Sequence, residues 1–68
     1  MAFDLPAFEG HNVRIFTIFD ECYQGILLLY NNMPYFVNKH YIFKLITPNG
    51  VRNFNLPESI IIDFIILD

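Results

Sequence analysis

Apolar and polar residues alternate with a period of two along much of this 68-residue chain. The clearest stretch runs from residue 35 to residue 46, where aromatic and β-branched side chains, which suit a pleated strand, dominate. One parity there is apolar, namely Tyr35, Val37, Tyr41, Phe43 and Leu45, and the other carries Asn38, His40 and Lys44. The pattern predicts one strand. Because it would be about twice the usual length, we expect a bend or bulge at Asn38-Lys39-His40.

A turn follows this strand at Pro48-Asn49-Gly50. Proline fixes φ early in a turn, and asparagine and glycine tolerate positive φ. Residues 51–56 then return as a partner strand. The sequence therefore predicts a hairpin from Phe36 to Phe54, around which the fold is organised.

Three further strands are predicted, over residues 12–19, 23–30 and 60–67. In the first, Val13, Ile15, Thr17 and Phe19 share one face. Gly25, inside the second strand, indicates sharp bending or a close backbone approach. Residues 56–59, which contain Pro57, break the pattern and predict one tight turn of 3₁₀ type.

The strand order predicts an all-β fold in a single domain over residues 1–68. At this length we expect a small five-stranded, strongly bent barrel of the SH3 type, closed or half-closed, because closure removes sheet edges. Asp4, Pro6 and Gly10 fit the start and end of a short N-terminal helix. An irregular arm is the alternative for this segment.

Composition indicates that part of the apolar surface is covered by another chain. Hydrophobic residues make up 54% of the sequence and charged residues 16%, whereas a domain of this size buries only about 60% of its unfolded surface. We therefore expect a homo-oligomer, a protein partner, or both. The net charge of −3 argues against broad electrostatic capture of nucleic acid.

No membrane span is expected, because the richest apolar run, residues 59–67, contains Asp63 and is far shorter than the about twenty residues required. The N-terminus lacks the features of a signal peptide. A single cysteine, Cys22, cannot form an internal disulfide. These features favour a cytoplasmic setting.

Three motifs carry a resemblance to a known family: Gly10-x-x-Val13-x-Ile15, Gly25-x-Leu27-x-x-Tyr30-Asn31, and the final run from Ser59 to Phe64. Their order around a long bent third strand resembles the Sm-like small β-barrels over nearly the whole chain. The resemblance implies a short N-terminal helix, a bent five-stranded sheet, ring assembly through edge strands four and five, and RNA binding.

RNA binding by such a ring would use Asn31, Asn32, Asn38, Lys39, His40 and the loop around Pro57. The sequence departs from the family pattern here. Pro57-Glu58 replaces the Arg-Gly pair that precedes the last strand, which removes a cationic stacking plane and adds a carboxylate that repels phosphate.

Aromatic residues supply a second candidate site. Tyr23, Tyr30, Tyr35, Phe36, Tyr41 and Phe54 are candidates for a protein-interaction patch, because Tyr and Phe are enriched in interfaces. A stacking platform for single-stranded nucleic acid is the alternative, and ordinary core packing claims about half of them. The low basic charge favours a protein partner.

No catalytic signature is present, and we expect no enzyme activity, cofactor, metal or small-molecule substrate. His11, His40 and Cys22 lack the spacing of metal ligands. Asp63 interrupts an apolar strand, either as an exposed guard against edge-to-edge aggregation or as an ion-pair partner of Arg14 or Arg52.

The function expected from the sequence is that of a non-enzymatic interaction protein that self-associates and docks on another protein. A phage or mobile-element accessory protein that modulates a host factor would suit this description. The alternative is an Sm-like RNA-binding ring protein.

Overall fold

A computed structural model describes residues 3–68 and confirms an all-β fold with a short N-terminal helix. The elements are α1 (Leu5–Phe8), β1 (Asn12–Thr17), β2 (Cys22–Leu28), β3 (Phe36–Val37), β4 (His40–Thr47), β5 (Gly50–Pro57), a 3₁₀ turn (Glu58–Ile60) and β6 (Ile61–Ile66).

All strand pairs are antiparallel, and the sheet runs in the order β6-β1-β2-β4-β5, with β3 folded back onto one end of β4 beside β2. The sheet curls into a half-barrel. Within residues 3–68, β5 pairs only with β4 and β6 pairs only with β1. These two strands are therefore open edges of the sheet, and the two-residue β3, which pairs only with β4, is a third, short edge among the described residues.

The core fills the concave side of the sheet and is built largely from aromatic rings. Phe43 stacks on Phe54 with centroids 5.2 Å apart, and Phe64 packs edge-on against Phe43 at 5.9 Å. Leu5 is fully buried, so α1 closes one end of this core. The predicted hairpin is confirmed, because Phe43 pairs with Phe54 and Thr47 with Gly50, whose φ is +117°.

The prediction of one bent strand over residues 35–46 is wrong. Asn38 and Lys39 both have positive φ, at 51° and 60°, which is the pattern of a two-residue type I′ turn. The chain reverses there, so that Phe36 pairs with Tyr41 and Val37 with His40. Because the turn inverts the parity, Phe36 joins the core side while Val37 is exposed.

β1 is shorter than predicted. It ends at Thr17, whose hydroxyl accepts a hydrogen bond from the backbone N–H of Phe19 at 3.2 Å. Phe19 therefore lies in the following turn and is 62% exposed, rather than sharing the buried face of Val13, Ile15 and Thr17.

Two other local predictions are confirmed. A Cβ atom on Gly25 would lie 2.7 Å from the carbonyl oxygen of Ile46, so this glycine does mark a close backbone approach. The tight turn before the last strand is a 3₁₀ turn, at Glu58–Ile60.

Candidate interaction surfaces

The predicted aromatic patch is divided by the fold. Tyr41 and Phe54 are buried, with 0% and 7% exposure, and belong to the core rather than to an interaction surface. The Tyr41 hydroxyl accepts a hydrogen bond from the backbone N–H of Phe3 and donates one to Glu58 Oε2 at 3.4 Å. Burial is the main reason that the pKa of Tyr41 is raised.

Tyr23 and Phe36 are half-buried and packed against this core. The guanidinium of Arg52 lies 5.4 Å from the Tyr23 ring centre, in the range of a cation–π contact. The Tyr23 hydroxyl donates a hydrogen bond to Glu21 Oε1 at 2.8 Å, and this bond is the largest cause of its raised pKa. Both rings are therefore engaged within the chain.

Tyr35 is exposed, and Tyr30 is half-buried without being part of the packing around the core. The Lys44 ammonium lies 5.1 Å from the centre of the Tyr30 ring, and the Tyr30 hydroxyl donates a hydrogen bond to Asn53 Oδ1. Tyr35 is 37% exposed. The reachable aromatic surface is thus smaller than the sequence suggested.

The RNA-binding candidates also separate into two groups. Lys39 and His40 line a cavity of about 560 Å³ together with Phe3, Pro57, Glu58, Ser59 and Ile61. The backbone N–H of Glu58 donates to the carbonyl oxygen of Lys39 at 2.8 Å, which holds the two turns together. Asn38 lies in the turn before this cavity.

Asn31 and Asn32 are exposed in the loop after β2 and do not line that cavity. The loop around Pro57 therefore lies beside Lys39 and His40 but not beside Asn31 and Asn32, and RNA binding stays a prediction. Glu58 lines the same cavity.

No group of three or more His, Cys, Asp or Glu side chains suited to a metal ion occurs within residues 3–68. His11 Nδ1 instead lies 3.2 Å from Asp68 Oδ1, and Asp68 Oδ2 accepts the backbone N–H of Asn12 at 3.1 Å. This backbone hydrogen bond is the largest cause of the lowered pKa of Asp68. The pair fastens the end of the chain to the start of β1.

The β6 edge is apolar on both faces. Three of its exposed side chains are large aliphatics, namely Ile62, Ile65 and Ile66, and the exposed Leu67 follows the strand. Asp63 is also exposed, and its Oδ1 accepts a hydrogen bond from the backbone N–H of Phe64 at 2.8 Å. Among the described residues, Asp63 forms no ion pair with Arg14 or Arg52, and its role as a guard stays a prediction.

A second apolar surface, which the sequence did not indicate, lies on the convex side of the sheet. Ile26 on β2 pairs with Ile46 on β4, which pairs with Val51 on β5, and all three side chains are exposed. A cavity of about 460 Å³, lined also by Pro48 and Gln24, adjoins them. One feature of the sequence could have revealed this surface. Ile26 has the same strand parity as Gln24, and Ile46 the same parity as Lys44, so both isoleucines lie on the polar side of their strands.

No protein-family model, curated protein or solved structure matches the chain. The resemblance to Sm-like barrels accordingly stays a prediction from the sequence. Within residues 3–68, the structure contains no helix with the length and hydropathy that a bilayer crossing requires.

Proposed function

We propose that this chain is a non-enzymatic interaction protein that self-associates through its sheet edges and docks on another protein. The observation that carries the proposal is that β6 is an edge strand with exposed apolar side chains, namely Ile62, Ile65 and Ile66.

An edge strand presents unpaired backbone N–H and C=O groups that another strand can pair with. Soluble proteins usually protect such edges with charges, proline or a covering loop. β6 carries one charged residue, Asp63, and neither a proline nor a lysine. Burial of its apolar side chains under a neighbouring strand would lower the free energy.

The complementary edge is β5 of a second copy. Two β6 strands paired about their centres would bring two Asp63 carboxylates together, which is unfavourable. β5 contains no carboxylate and carries Arg52, Asn53 and Asn55. Pairing of β5 with β6 is heterologous, so that successive copies form a ring when the rotation closes and a filament when it does not.

The test is the native mass of the purified protein, measured by sedimentation or light scattering. We expect the wild type to be an oligomer and the double variant Ile62→Lys/Ile66→Lys to be monomeric with an unchanged circular dichroism spectrum. The matched control is Met33→Lys/Val37→Lys, which removes two exposed apolar side chains outside β5 and β6. A monomeric wild type, or an oligomeric Ile62→Lys/Ile66→Lys variant, would contradict self-association through β6.

RNA binding is the second candidate function, and it is favoured by the cavity that Lys39 and His40 share with Ser59. The neighbouring Glu58 carboxylate opposes phosphate. The hypothesis predicts salt-sensitive binding of a single-stranded oligouridylate that weakens in the variant Lys39→Ala. Absence of binding at low salt would exclude it.

A further inference from the structure

Acidic and basic residues are segregated in this fold. The strands β1, β2, β4 and β5 contain no Asp or Glu, yet they hold three of the four basic residues, Arg14, Lys44 and Arg52. The acidic residues lie near α1, in turns, and on or after β6, namely Asp4, Glu9, Asp20, Glu21, Glu58, Asp63 and Asp68. In a chain with a net charge of −3, the four strands β1, β2, β4 and β5 together thus carry positively charged side chains and no negatively charged ones.

Two of these cations lie on the convex face. Arg14 pairs across the strands with Gln24, and Lys44 pairs with Leu28 and Asn53. By the alternation of a strand, these residues share a side with Ile26 and Ile46, while the intervening residues are buried in the core. The convex face thus combines aliphatic, amide and cationic side chains, and the register of β6 adds one carboxylate, Asp63, opposite Phe16.

Contacts with uncharged side chains hold both cations in place, so that their positive charge is kept. Arg14 donates from Nε and Nη2 to Gln24 Oε1, at 3.2 and 2.9 Å, which leaves other guanidinium N–H groups available. The Lys44 ammonium rests over the ring of Tyr30. Among residues 3–68, neither cation forms an ion pair with a carboxylate.

The positions of the two cations indicate what kind of ligand could pair with both of them. Arg14 and Lys44 lie on opposite sides of β2, beside Gln24 and Leu28. Their backbone positions are therefore about 13 Å apart along the strands and about 10 Å apart across them. The exposed side chains of Ile26 and Ile46 lie between the two rows. An extended segment with carboxylates at positions i and i+4 and an apolar side chain at i+2 matches this order.

We propose that the convex face, defined by Arg14, Ile26, Lys44, Ile46 and Val51, docks an extended protein segment in which two carboxylates flank an apolar side chain. The inference rests on the docking part of the proposed function and adds the face and the chemistry of the partner.

A nucleic acid fits this face less well. Binding of single strands relies on stacking rings and on several cations along the backbone. The convex face offers only two fixed cations, and the ring of Tyr30 is already covered by Lys44. Apolar side chains occupy the centre of the face instead.

The experiment is selection of a random peptide library on the purified full chain, followed by titration of the enriched peptides. We expect the enriched peptides to contain paired acidic residues around an apolar one. Their affinity should fall about tenfold or more in the variant Arg14→Glu/Lys44→Glu and weaken as salt is raised. If the double variant does not fold, the single variant Lys44→Glu replaces it. The control is Lys39→Glu, the same substitution outside the convex face, which should leave the affinity nearly unchanged.

Several outcomes would overturn the proposal: no enrichment, enriched peptides without carboxylates, or equal affinity for Arg14→Glu/Lys44→Glu and the wild type. Loss of oligomers in that variant would show that the face contacts a second copy. Loss of oligonucleotide binding in it would show a nucleic-acid surface. Peptide binding by a monomeric wild type would support the docking face while contradicting self-association, so the two proposals fail separately.

Discussion

Gly25 shows how a single residue fixes the approach of two strands. It lies where β2 passes from pairing with β4 to pairing with β1 alone. A Cβ atom there would meet the carbonyl oxygen of Ile46 at 2.7 Å and the Cβ of Leu45 at 3.1 Å. The first of these is a backbone atom in a paired strand, so it has little freedom to move.

Replacement of Gly25 by alanine should therefore destabilise the protein by about 2–4 kcal/mol through steric overlap with β4. The measurement is the free energy of unfolding from denaturant titration. Gly10→Asn is the control, because Gly10 has a φ of +83° and a Cβ atom placed there would meet nothing within 4 Å, and asparagine tolerates that conformation. We expect the control to cost less than about 1 kcal/mol. A Gly25→Ala variant as stable as the control would refute the steric argument.

Asp68 makes stability depend on pH at the acidic end. Its folded-state pKa is lowered, first by the hydrogen bond from the backbone of Asn12 and then by His11. A lowered folded-state pKa means that ionised Asp68 stabilises the fold above its unfolded pKa. This stabilisation is lost as the pH falls through the folded-state value.

The variant Asp68→Asn should consequently be less stable than the wild type near neutral pH, with the two melting temperatures converging as the pH falls below about 4. Thermal unfolding over a pH series measures this. His11→Gln should keep most of the wild-type pH dependence, because it retains the backbone hydrogen bond, which is the larger cause. A constant gap between Asp68→Asn and the wild type at all pH values would contradict the assignment.

At the scale of elements, the turn between β3 and β4 decides which side chains enter the core. Lys39 adopts a φ of 60°, a conformation that costs an ordinary residue about 1–2 kcal/mol and glycine almost nothing. Because Asn-Gly is the preferred pair in such turns, Lys39→Gly should stabilise the protein by up to about 1 kcal/mol. Lys39→Val should destabilise it, since β-branched residues fit positive φ poorly.

Thermal or denaturant unfolding of the two Lys39 variants measures this prediction. Opposite signs for glycine and valine would identify backbone strain as the cause. Equal effects would instead point to the Lys39 side chain, which lines the cavity beside Pro57.

The same turn explains why the sequence predicted the fold better than the surfaces. Period-two alternation, the Pro48-Asn49-Gly50 turn and Gly25 were sufficient for the β4–β5 hairpin and the bent sheet. Nothing in the residues Asn38 and Lys39 shows that both take positive φ, so the reversal and its inverted parity were missed. As a result, the sequence pattern grouped Val37 with Tyr41 and Phe43, although Val37 is exposed and these two are buried.

The edge strand β6 was difficult for a different reason. Its residues are almost uniformly aliphatic, so the sequence contains no alternation from which a buried face can be predicted. The register between β1 and β6 also shifts at Phe16 and Thr17, which places Ile62 and Asp63 both at the surface. Exposure there follows from tertiary pairing rather than from local pattern.

For the molecule as a whole, the apolar content is higher than a core of this size can bury. Twelve large hydrophobic side chains among residues 3–68 are exposed, Phe19, Ile62 and Val51 the most. A domain of this length has a small margin of stability by itself. Self-association through β5 and β6 would cover part of this surface and add to the stability of each subunit.

The free energy of unfolding should then depend on protein concentration, because any species that binds only the folded state stabilises it by mass action. A tenfold rise in concentration should stabilise each subunit by about 1 kcal/mol, which for a domain of this size raises the melting temperature by about 4–8 °C. The monomeric variant Ile62→Lys/Ile66→Lys should melt at one temperature at every concentration, and lower than the wild type. A wild-type melting temperature that is independent of concentration would mean that the exposed isoleucines of β6 are tolerated by the isolated subunit. The convex face would then be the stronger candidate for the surface that binds a protein partner.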